Sequence, residues 1–175
     1  MSAKSIWFFR LFFLGLFSST IVVAGCSFRA GVPQWSGSGF VRKETLEYKK
    51  VAILPFQGDT KGEASNTFAE SFHEKFPQIG LVRREQVLEA FQEQDLYLDR
   101  IDEGVRTKIG QVFGVQALIA GNVYYPSVLR WLLQIQVIDV GTGEVMGRSL
   151  VEIDFMGALG KKEACQIAVQ YLTPK

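Results

Sequence analysis

One histidine and two cysteines are the whole supply of imidazole and thiolate metal ligands in this 175-residue chain. A zinc site needs several convergent ligands. His73, beside Phe72 and between Glu70 and Glu74, reads instead as a solvated or hydrogen-bonded side chain on a helix. No metal and no cofactor is expected. Charge of one sign is also missing, with 19 basic residues against 18 acidic. Nucleic-acid binding needs a basic face to neutralise phosphates, so that class of partner is not expected. Nor is there a long hydrophobic run. The most apolar stretch, Leu11 to Val23, is 13 residues, where a spanning helix needs about 20. Catalytic signatures are absent too. Ser36 to Gly39 (S-G-S-G) is not G-x-S-x-G and precedes no helix. Gly141 and Gly143 flank a turn instead of opening a helix, as a phosphate loop would. Asp95, Asp99, Asp102 and Glu103, with Arg100 among them, read as solvated helix ends, and the chain is expected not to be an enzyme.

What is present begins at the N-terminus. Lys4 and Arg10 precede the apolar stretch, and Val23-Ala24-Gly25-Cys26 follows it. The order of a positive region, a short apolar region and small residues is that of a secretory signal. V-A-G-C resembles the bacterial lipobox, in which the cysteine takes a diacylglyceryl group and becomes the new N-terminus. Several acyl chains on one residue anchor firmly where one binds only marginally. Ser27 after the cysteine resembles a signal for export to the outer membrane of a Gram-negative envelope, on its periplasmic face. The expected division is a signal peptide at 1–25, a lipidated Cys26 with a flexible tether at 26–47, and a domain at 48–175. Loss of Lys4 and Arg10 leaves 17 basic residues against 18 acidic. Cys165 is then the one remaining thiol, and its setting A-C-Q-I-A-V predicts a buried helical position.

Residues 27–43 are rich in Gly, Ser and Pro and read as tether. Trp35 and Phe40 within it are either interfacial anchors, a docking segment, or side chains packed on the domain's own surface. Val51 to Leu54 is a continuous apolar run closed by proline, the pattern of a strand buried on both faces. Ala64, Phe68, Phe72 and Phe76 recur every four residues and predict a helix ended by Pro77. A short extended piece at Gly80–Glu85 leads to a helix burying Val87, Leu88 and Phe91. A third helix follows, with Asp102 as its cap and Gly114 as its stop. Strands are expected at Val115–Tyr125 and Leu129–Val140, and in the return after the Gly141–Gly143 turn. Arg148, Glu152 and Asp154 are expected to point outward, and Val151, Ile153 and Phe155 inward. A last helix near Gly160–Leu172 buries Ala164, Cys165, Ala168 and Leu172. The fold class is α/β (α+β), with a mixed sheet of four or five strands, a C-terminal hairpin and three or four helices. Tyr124, Tyr125, Trp131 and Phe155 cluster near one end of the sheet, either as an exposed partner surface or as core. Asn122 beside them is expected to bond nearby backbone.

Four blocks carry a wider likeness: Val51–Phe56, Leu81–Gln94, Gly114–Val123 and Leu133–Gly147. Together they resemble the domain shared by the CsgG, LpoB and FlgO outer-membrane lipoproteins, and are similar to the N-terminal domain of TolB. The resemblance implies a periplasmic binding or assembly module that recognises another envelope protein, with a homo-oligomer as one expected form. A secretion or surface-appendage assembly role leads. An activator of a peptidoglycan synthase and a ring-forming export-channel component are the alternatives. Only Pro126 to Val128 separate the second and third long strands. That gap cannot hold a membrane-spanning hairpin, whose strands take about 9–11 residues each.

Overall fold

The computed structural model describes residues 35–92, 101–127, 130–154 and 160–173. Its six strands are β1 (Trp35–Val41), β2 (Lys50–Ile53), β3 (Gly80–Val82), β4 (Ala117–Ser127), β5 (Arg130–Asp139) and β6 (Val145–Asp154). They form one sheet in the order β1-β6-β5-β4-β2-β3. β2 runs parallel to β3 and β4, while the β4, β5, β6 and β1 neighbours are antiparallel. Among the described residues the helices are α1 (Glu63–Lys75), α2 (Arg84–Phe91), α3 (Glu103–Phe113) and α4 (Lys161–Tyr171). The mixed α+β class is as the sequence predicts, with one more strand.

β2 shows why its sequence is apolar without interruption. Val51 and Ile53 face one hydrophobic core, and Ala52 and Leu54 face the other. The first core lies under α1 and α4. There the four-residue spacing of α1 continues a row of rings from Phe56 through Phe68 and Phe72 to Phe76, with successive centroids 5.8, 6.1 and 4.9 Å apart. The second core lies under α2 and α3 and takes Val87, Phe91, Ile109, Leu118 and Ala120. Further along that face, β5 and β6 present Gln134, Gln136, Arg148 and Glu152. The alternation in the hairpin is thus read correctly, though Phe155 and the side chain of Asp154 lie outside the described residues. Asp102 caps α3 by accepting from the Val105 amide at 2.8 Å, and Gly114 ends it in the left-handed region. Cys165 is fully buried on α4, and burial pushes its thiol up to about 12. It is chemically quiet at neutral pH.

The extra strand is β1. Residues 35–41, read from composition as tether, pair along their whole length with β6, and a 3-10 turn follows at Lys43–Glu47. The glycines that suggest a linker have a packing reason instead. Gly37 and Gly39 face Tyr171 of α4, and a Cβ on either would come within 2.6 Å of that side chain. The Tyr171 hydroxyl donates to the Gly37 carbonyl at 3.0 Å. A Gly-Ser strand loses more chain entropy on folding than a β-branched one, and here the ring bound across it offsets that loss. Gly39→Val should therefore lower stability by about 1–3 kcal/mol in urea unfolding, the usual range for overpacking. Ser38→Val, whose side chain is exposed on the opposite face, should change it by less than about 0.5 kcal/mol. Equal effects would contradict the Tyr171 contact.

Candidate interaction surface

Strand register gathers several segments at one end of the sheet. Trp131 of β5 pairs with Ile153 of β6, which pairs with Trp35 at the start of β1. One step further out, Ser127 pairs with Arg130. β2 points toward this same end, so the loop after it and the start of α1 arrive there as well. Gln57 bridges to Asn122, donating to the Gly121 carbonyl and accepting from the Val123 amide at 2.9 and 2.8 Å. Gly58 then turns with φ +77°, and a Cβ there would lie 1.9 Å from the Val123 carbonyl oxygen, so only glycine fits.

The entry to α1 is held by a remote cap. Its N-cap residue is Gly62, which has no side chain to offer. Asp59 supplies the acceptor, taking the Ser65 amide and hydroxyl at 2.8 and 2.9 Å. Glu63 on α1 and Lys161 on α4 form an ion pair joining the first turns of the two helices. Their hydrogen bond holds the Glu63 carboxyl below its ordinary range and the Lys161 ammonium above its own. Both side chains are about half exposed, so the link orients the helices more than it stabilises them. A shallow cleft of about 200 Å³ opens between these parts, lined among others by Asp59, Lys61, Tyr125, Trp131 and Lys161.

Of the aromatic residues singled out in the sequence, Tyr124 and Tyr125 are exposed, at 43% and 64%. Trp131 is half-buried and packs against the first core. Phe155 lies outside the described residues, as do Cys26, the Val23-Ala24-Gly25 segment, Asp95, Asp99 and Arg100. The side chain of Trp35 is likewise outside them, while Phe40 is 49% exposed on β1. His73 is exposed near the C-terminal end of α1. Among the described residues no three His, Cys, Asp or Glu side chains converge to hold a metal ion. The Lys161–Glu63 and Asp59–Ser65 links escape sequence reading. The first joins residues far apart in the chain, whereas the second has a faint signal in an aspartate shortly before a helical apolar run.

The opposite end of the sheet is closed by polar contacts. Asp139, at the end of β5, accepts from the Tyr48 hydroxyl at 2.7 Å and from the Thr142 amide and hydroxyl at 2.7 and 3.1 Å. Of the two turn glycines only Gly143 takes a positive φ, and it lies against the guanidinium of Arg106, a buried residue of α3. Burial works against ionisation of Asp139, but the bonds from Thr142 and Tyr48 outweigh it, and its carboxyl sits below the ordinary range. The Tyr48 phenol is pushed up, first by burial and then by Asp139. A depressed carboxyl contributes stability above its unfolded value and loses it as pH falls through the folded one. Tyr48→Phe should thus cost about 1 kcal/mol at pH 7, with the gap to the unaltered protein narrowing below about pH 4. Paired urea titrations at pH 7 and pH 3 check this, and an equal gap at both would contradict it.

No family model and no curated protein sequence matches the chain. Solved structures do. The chain is similar to the PelC dodecamer from Paraburkholderia phytofirmans at 11% identity and a TM-score of 0.51, covering 79% of this chain and 94% of that one. It is also similar, with a TM-score of 0.47 and 16% identity, to lipoprotein GNA1162 from Neisseria meningitidis, over 61% of this chain and 80% of that one. The LpoB C-terminal domain from Escherichia coli aligns at 18% identity and a TM-score of 0.40, over 61% of this chain and 82% of that one. At these identities the PelC likeness establishes a shared fold.

Proposed function

We propose that this chain is a lipid-anchored protein of the bacterial envelope, held on the periplasmic face of the outer membrane, that works by binding and assembling proteins and not by catalysis. The observation that carries the proposal is the V-A-G-C sequence ending at Cys26, eight residues before the first strand of a folded domain. Acylation there ties the domain to the bilayer by a short lead. The partner is another envelope protein, in a secretion or surface-appendage assembly. A synthase activator would have to reach across the cell wall, and eight residues do not give that reach.

Self-assembly is part of the proposal because β1 is an edge strand of the sheet with no charged residue and no proline in W-S-G-S-G-F-V. Sheets usually blunt such edges with charge, proline or a bulge. PelC, whose fold this chain shares, is described as a dodecamer. A separate membrane-spanning partner would be needed for any channel role.

Two measurements test the proposal. Cys26→Ala should abolish metabolic labelling with a fatty acid and release the protein from the membrane fraction; persistent labelling would contradict the anchor. Light scattering of the full-length lipidated protein in mild detergent should give one discrete oligomer mass. A monomer at all concentrations would contradict self-assembly and leave a monomeric adaptor.

A further inference from the structure

The sheet end bearing Tyr124, Tyr125 and Trp131 coincides with the end where the chain enters the domain. Trp35 shares a transverse row with Ile153 and Trp131. Eight residues separate Cys26 from Trp35, a lead of at most about 30 Å fully extended and about 16 Å as flexible coil. β4 alone spans 11 residues, or about 36 Å. The lead starts at the near end of the sheet. A lipid on Cys26 would hold this end of the domain nearest its anchor point in the bilayer.

That end has the chemistry of a membrane interface. Tyrosine and tryptophan concentrate at headgroup level because their rings are apolar and their polar tips stay wet. Tyr124 and Tyr125 stand at successive positions of β4, so their side chains leave opposite faces of the strand and flank its end. Trp131 lies across the hairpin. Lys61, exposed, lines the same cleft as Tyr125 and Trp131, where anionic headgroups attract cations. The carboxylates nearest the cleft are already engaged, Glu63 with Lys161 and Asp59 with the Ser65 amide and hydroxyl. Glu152 is paired with Arg130 at 3.0 Å. The opposite end is closed by the Tyr48–Asp139 bond, and of the aromatics near it Phe40, late in β1, is exposed.

We infer that, given the lipid anchor, the Tyr124–Tyr125–Trp131 end of the sheet is a second membrane contact, seated on the lipid headgroups and fixing the orientation of the domain. The occupant of this surface is the bilayer, and a protein covering it is the competing outcome.

The test uses the full-length lipidated protein carrying Tyr125→Cys or, as the far-end control, His73→Cys. An environment-sensitive thiol probe is attached and the protein is reconstituted in phosphatidylethanolamine–phosphatidylglycerol vesicles, with and without a headgroup-level spin-labelled lipid. Cys165 is buried and Cys26 acylated, so the unaltered protein should take no label. The Tyr125 probe should be quenched at least twofold more than the His73 probe. Equal quenching at both ends overturns the inference. So does a Tyr125 probe already shielded in detergent and indifferent to the spin-labelled lipid, which is the signature of a protein contact. Tyr124→Cys reads the same end if the first variant fails to fold. Labelling of Cys26 in the unaltered protein is a different failure, since it removes the anchor and the inference with it. An unquenched Tyr125 probe in a protein whose Cys26 resists labelling removes the inference alone.

Discussion

The way this domain can sit depends on one ring lying against a strand that has no side chains beneath it. Tyr171 of α4 covers Gly37 and Gly39 and donates to the Gly37 carbonyl. That contact turns a stretch with the composition of a linker into the sixth strand. Without β1 the lead from Cys26 would run to Tyr48, which is 22 residues and up to roughly 75 Å. With β1 in place, eight residues separate Cys26 from the first strand.

The two ends of the sheet differ in kind. At one end the Asp139 carboxylate collects Tyr48 and Thr142, and Arg106 packs under Gly143, so polar groups are spent on each other. At the other, exposed Tyr125 lines a cleft, and the ion pair and helix cap beside it hold the start of α1 and α4 in place. A rigid frame under exposed aromatic side chains suits a surface that meets something larger than itself, because little side-chain order remains to be lost on contact.

Much of the fold was legible in the sequence for a definite reason. The apolar run Val51–Leu54 is continuous because both faces of β2 are covered. The phenylalanines of α1 recur every four residues because one stripe faces a core. Gln134 and Gln136 alternate with Leu133, Ile135 and Val137 because only one face of β5 is deeply packed. β1 was not legible, since its signal is an absence of side chains whose cause lies more than 130 residues away on α4. The interaction surface was half legible. Tyr124 and Tyr125 stand where β4 runs past its helix cover, and alternation along the strand places them at its end. Trp131 faces the core side, so its indole is partly consumed by packing. Lys161–Glu63, Asp59–Ser65 and Tyr48–Asp139 depend on the tertiary fold, and local periodicity carries no trace of such long-range polar pairs.

The central claim is that residues 35–41 are a strand and not a tether. Backbone hydrogen exchange on the full-length protein, resolved for the amides of Ser36 to Val41, tests it most directly. Alternate amides of this segment should be protected through their pairing with β6, whether or not the free edge of β1 pairs with another copy. Uniform exchange at unfolded-chain rates across the whole segment would contradict the account.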